Sequence, residues 1–148
     1  KLFVAGEWID TGDWIEVRSP YSGEAVARVA KAGAVETKRA IDAAEQALVE
    51  PLPAHKRAEI LVKVVAGIAR RHDEIARQIS DEAGKPLKAA RVETSRAMST
   101  YTFAAVEARK LAGEIVPMDA AQAGEGKLAL TLRRPIGIPV GDGIDDSR

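Results

Sequence analysis

The chain has 148 residues, with 22 Lys and Arg balanced by 22 Asp and Glu, and no cysteine. That length gives room for one ordinary domain or two small subdomains. Balanced charge excludes nucleic-acid or anionic-membrane binding driven by bulk charge. The missing thiols exclude disulfides, zinc–thiolate sites and a thiol nucleophile among these residues.

Hydrophobic residues make up 46% but aromatics only 4%, so the expected core is aliphatic, rich in alanine and helical. No apolar run approaches the ~20 residues of a membrane span. The opening "KLFVAGEWID" is too short and polar for a signal peptide. It carries no initiator Met, so the true start is expected upstream, and the cytoplasm is the default compartment.

Residues 1–32 read as strands and turns. "LFVAGEWI" places Gly6 at a hairpin turn, and "WIEVR" alternates Ile15 and Val17 with Glu16 and Arg18. "SPYSGE" is turn chemistry, and "AVARVAKA" resumes the alternation. Residues 34–111 read as three helices. In the first, Thr37, Ile41, Ala44 and Leu48 form one stripe, and Pro51 and Pro53 end it. Pro53 suits the first turn of the second helix. That helix carries Leu61, Val64, Val65, Ile68, Ile75, Ala76 and Ile79 at helical spacing. It ends at Gly84, which suits a left-handed cap, before Pro86. The third helix runs from about Leu87 to Leu111. Its apolar residues do not share one face, so it calls for neighbours on several sides.

"GEIVPMDAAQAGEGK" reads as a short extended piece and a polar loop. "KLALTLRR" alternates Leu128, Leu130 and Leu132 with Ala129, Thr131 and Arg133, a strand pattern. Pro135 argues against a central sheet position just beyond it.

No motif here assembles a reaction centre. "GEGK" at 124–127 lacks the full spacing of a phosphate loop and precedes a strand, so a hairpin turn is the simpler reading. "GDGIDD" near the end lacks the longer oxygen set and closing Glu of a calcium loop. His55 and His72 lie outside metal-ligand spacing and are expected on the surface. Ser95, Ser99, Thr100 and Thr102 cluster without a nucleophile-elbow motif. Arg96 could hold a carboxylate or phosphate through its guanidinium fork; the alternative is a structural pair with Glu93.

The order of segments carries more. "FVAGEWID", "VRSPYSGEAVARVAKA", "AIDAAEQAL", "LPAHKRAEILVKV", "EAGKPLKAARVETSRA" and "LRRPIGI" together resemble the N-terminal portion of the aldehyde dehydrogenase superfamily. "GEIVPMD" and "KLALTLRRPIG" resemble the branch with lactaldehyde and non-phosphorylating glyceraldehyde-3-phosphate dehydrogenases. The resemblance implies an α+β fragment of an α/β aldehyde dehydrogenase fold. It divides the chain into residues 1–118 as the N-terminal part of the cofactor-binding domain, 119–138 as an oligomerisation-type strand region, and 139–148 as a tail outside the match. That tail also resembles a family loop lying far downstream, which would place unseen residues after Ile138.

Family chemistry follows from the same resemblance. A cysteine thiolate attacks an aldehyde, hydride passes to NAD or NADP, and a glutamate-activated water releases the acid. An asparagine and a backbone N–H hold the oxyanion. This chain contains neither Asn nor Cys, so no catalytic residue and no cofactor-binding residue carries over, and the chain alone is expected to be inactive. Arg96, Thr100 and Phe103 map to a helix bordering the substrate tunnel. The strand Leu128–Leu132 resembles an arm that pairs between subunits, which implies a homo-oligomer acting on a small aldehyde. The alternative is a non-catalytic oligomerisation module.

Overall fold

The computed structural model describes residues 1–138. The segment 139–148, with its Gly-Asp-Gly and acidic run, lies outside the described residues, as does the junction after Ile138.

The first hairpin pairs β1 (Leu2–Val4) with β2 (Glu7–Ile9), antiparallel, with Val4 opposite Glu7. Ala5 and Gly6 both adopt positive φ, 53° and 84°. That is the twist a two-residue hairpin demands, and glycine supplies it without strain. The second hairpin pairs β3 (Trp14–Arg18) with β4 (Ala25–Ala30), with a register shift between Val17 and Arg18. Its turn is built by the buried Ser19, whose hydroxyl oxygen accepts the Tyr21 and Ser22 N–H groups at 3.3 and 3.4 Å.

Four α-helices follow among the described residues, rather than the three expected. The first, α1 (Ala34–Val49), starts where the Glu36 carboxylate accepts the Gly33 N–H at 2.7 Å. It has no buried residue, and the stripe from Thr37 to Leu48 is covered only in part, with Leu48 42% exposed. The expected long second helix is two: α2 (Ala54–Arg70) and α3 (His72–Ala83), broken at Arg71 with φ −110° and ψ 18°. Neither Pro nor Gly marks this break. Its consequence is tertiary, because both halves pack on the same partner while barely touching each other. All of the apolar positions expected on this stripe are buried or half-buried.

Gly84 closes α3 in the left-handed conformation, φ 62°, as the cap chemistry requires. A Cβ at Gly84 would sit 3.0 Å from Pro20, so the second hairpin also closes over this corner. The partner helix, α4 (Leu87–Glu107), ends a turn before the expected Leu111. At its end Arg57 of α2 donates to the carbonyls of Leu52 and Ala108, at 2.5 and 3.4 Å. A cation at a helix C-terminus also meets the negative end of its dipole.

Among the described residues, six of the seven buried apolar ones are alanines, including Ala58, Ala76 and Ala90 at 0% exposure. The helices therefore approach closely but bury little area. Much larger side chains stay outside: Val92, Phe103 and Leu111 are 56, 72 and 62% exposed. This bears out the reading of a helix that wants neighbours on several sides. Beyond α4, β5 (Ile115–Val116) pairs antiparallel with β6 (Ala129–Leu130). "GEGK" belongs to the turn structure connecting these two strands. Each of the three sheets has two strands, so the second edge of β6 is unpaired among the described residues.

Candidate functional site

The two residues Arg96 and Thr100 meet in an open groove of about 1080 Å³ along α4, with Lys85, Lys88, Val92 and Tyr101 among its other walls. A helix builds such a wall because residues four apart stack on one side, and Lys88, Val92, Arg96 and Thr100 follow that interval. The structural alternative for Arg96 does not form. Glu93 instead accepts from Lys85 at 2.8 Å, and no ion pair to Arg96 occurs among the described residues. The groove thus presents a guanidinium without a carboxylate partner, beside an apolar Val92 and the Tyr101 ring. Phe103 lies outside the groove walls, although it shares the Arg96 side of the helix two turns on.

The hydroxyl cluster on α4 has a local explanation. Ser95, Thr100 and Thr102 each donate to the carbonyl four residues back, at 3.0, 3.0 and 2.8 Å, and Ser99 does so at 3.4 Å. Such back-bonding satisfies a hydroxyl within its own helix. Thr94 does the same from a fully buried position, 3.0 Å from the Ala90 carbonyl.

One contact was invisible in the sequence. His72, expected alone on the surface, places Nε2 3.0 Å from the Ser95 hydroxyl oxygen across the α3–α4 seam. Asp73 Oδ1 stands 3.6 Å from His72 Nδ1 and 3.1 Å from Arg91 Nε. The residues resemble a Ser–His–Asp set, yet the proton traffic runs the other way. With the Ser95 hydroxyl donating to the Arg91 carbonyl, 3.0 Å away, the tautomer that carries its proton on Nε2 donates to the hydroxyl oxygen rather than removing the hydroxyl proton. The cluster is an interhelical tie. His55 is exposed at the start of α2, and no group of three or more potential metal ligands forms among the described residues.

The hydrogen bond and charge of Arg91 hold the Asp73 carboxyl below its ordinary value of 3.8. A carboxylate lowered on folding stabilises the fold fully above that ordinary value, and the contribution is lost as pH falls through the lowered one. The Asp73→Asn protein should therefore unfold at a lower denaturant midpoint than the wild type at about pH 6. The difference should shrink as the pH falls through the lowered value of the Asp73 carboxyl, where that side chain also becomes neutral. A difference that persists in acid would mean that packing, not charge, joins Asp73 to Arg91.

A dinucleotide site of the usual kind needs parallel strands joined through a helix, with phosphate at the helix N-terminus. All three strand pairs here are antiparallel hairpin-type pairs. A site of that kind is therefore not assembled from the strands among the described residues.

Short antiparallel hairpins followed by helices packed on a long α4 make this an α+β portion of an α/β fold. The chain belongs to the aldehyde dehydrogenase family, whose model matches residues 8–141. It is 34% identical over 139 residues to a lactaldehyde dehydrogenase of Methanocaldococcus jannaschii, covering 93% of this chain and 28% of that protein. It is 31% identical over 137 residues to a 3-sulfolactaldehyde dehydrogenase of Priestia aryabhattai, covering 93% and 29%. Among solved structures it resembles aldehyde dehydrogenase 21 from Physcomitrella patens in complex with the reaction product succinate. That match has a TM-score of 0.77 and 35% identity, and covers 84% of this chain and 26% of that one. The chain thus spans less than a third of the length of these relatives, and it matches the family as an N-terminal portion.

Proposed function

We propose that these residues form the N-terminal part of an NAD- or NADP-dependent aldehyde dehydrogenase of the cytoplasm, oxidising a small aldehyde that carries an anionic end. In this reading α4 lines the passage for substrate. Arg96 binds the anion through its fork, Thr100 flanks it, and Phe103 forms an apolar stretch nearby. Residues 1–118 contribute to the cofactor-binding domain, and 119–138 form the strand region that joins subunits. The observation that carries the substrate class is Arg96, which lines the groove with no carboxylate partner among the described residues. A sulfonate in one relative's named substrate and a bound succinate in one structural relative support the same class.

Chemistry stops short in this chain. A thiohemiacetal needs a cysteine, and no cysteine is present. The 148-residue chain should give no aldehyde-dependent reduction of NAD or NADP with glycolaldehyde or lactaldehyde. Turnover by a verified chain would overturn the assignment of the reaction to residues outside it. For the groove, succinate should perturb the amide signals of Arg96 and Thr100. The Arg96→Ala protein should bind it about tenfold more weakly, on the scale of a charge-assisted pair.

A second reading, an oligomerisation module without catalysis, is favoured by one feature. Leu128, Leu130 and Leu132 are 78, 56 and 70% exposed beside the unpaired edge of β6. Such an edge accepts another strand readily. Light scattering that finds a well-folded monomer would count against it.

A further inference from the structure

The groove lies on one stripe of α4, and the contacts that aim it lie on the next. Arg91 and Ser95 are four residues apart and share a side, about 100° round the helix from the stripe of Val92 and Arg96. That side is tied to α3 twice: Arg91 Nε to Asp73 at 3.1 Å, and His72 Nε2 to Ser95 at 3.0 Å. The buried side of α4 offers little shape. Its fully enclosed residues are Ala90, Thr94 and Ala105, at 0, 1 and 2% exposure. Small side chains let helices come close but give shallow ridges and grooves, which specify rotation about the axis weakly. Directional polar contacts at the rim then decide the rotation.

We infer that His72, acting through the Ser95 hydroxyl, is a positioning residue that sets the rotation of α4 and thereby aims Arg96 into the groove for the anionic end of a ligand. Ser95 directly precedes Arg96, so the tie acts at the turn that carries the guanidinium. The role rests on the proposed function of Arg96 and adds to it a residue from another helix that does not line the groove.

The test uses the 148-residue chain, labelled for amide spectroscopy and titrated with succinate. His72→Ala should weaken binding about three- to fivefold, the scale of one hydrogen bond, with helical circular dichroism unchanged. The Arg96 and Thr100 signals should shift in the unliganded protein. His72→Gln keeps an N–H donor at similar reach and should restore both affinity and signals, whereas His72→Met, of similar bulk but without a donor, should stay as weak as His72→Ala; a merely space-filling role would be rescued by Met as well. Equal affinity in wild type and His72→Ala, or a Gln variant as weak as the Ala variant, overturns the positioning role alone. Unchanged affinity in Arg96→Ala, or no binding by the wild type, overturns that role together with the reading of the groove.

Discussion

Replacing Gly113 with alanine should uncouple β5 from β6. A Cβ at that position would fall onto the backbone carbonyl of Thr131. Main chain cannot turn aside as a flexible side chain would, so the strands must separate or the carbonyl must rotate. Either movement strikes the contacts that hold the pair. The Thr131 N–H donates to the Glu114 carbonyl at 2.9 Å, and the Thr131 hydroxyl oxygen accepts the Glu114 N–H at 2.9 Å. Overpacking of this kind costs about 1–3 kcal/mol. With tenfold per 1.4 kcal/mol, exchange of the Thr131 amide should accelerate by roughly tenfold to a hundredfold. The amides of α2 and α4 should keep their protection, because the main contacts of β5 and β6 are with each other. Protection of Thr131 equal to wild type would show that the backbone absorbs the clash. The same variant addresses the oligomer reading, since a strand pair that splays presents no regular edge.

The second large effect is expected at Ala90. Its side chain is 0% exposed on α4, the helix that packs against both α2 and α3. Leucine there adds three carbons to a contact whose closeness depends on alanine. The helices would have to move apart, losing contacts along their length. A cost of about 2–4 kcal/mol follows from overpacking with few places to expand, a large share of the roughly 5–15 kcal/mol that holds a small domain folded. Ala89→Leu is the matched control. Ala89 is exposed on the groove side, and leucine there should change stability by about 0.5 kcal/mol or less. Urea denaturation of the two variants measures the contrast. Similar midpoints would mean that the alanine seam is looser than its burial indicates.

Both effects share a cause. This portion of the family fold holds itself together by close approach of small residues, while its large apolar side chains face outward. Val92, Phe103 and Val106 leave α4 on the sides away from α2 and α3, at 56, 72 and 42% exposure. Apolar surface of that extent has little reason to stay in water. The apolar residues of α4 fall on more sides than its neighbours cover.

Features that depend on a residue and its near neighbours were legible in the residues alone. Gly6 sits in a two-residue turn because positive φ costs glycine nothing, and Gly84 ends α3 for the same reason. Ile15 and Val17 alternate because a strand repeats every two residues, whereas of the strand expected over Leu128–Leu132 only Ala129–Leu130 forms. The missing Cys and Asn were decisive for chemistry, since no folding can supply an absent side chain. Tertiary structure alone decided the rest. It broke the expected second helix at Arg71, where the residue types carry no stop signal, and laid both segments on α4. It gave Glu93 to Lys85 rather than to Arg96, and it brought His72 to Ser95 across 23 positions. Such pairings follow from how helices cross, and crossing is set by packing between elements, which local spacing does not encode.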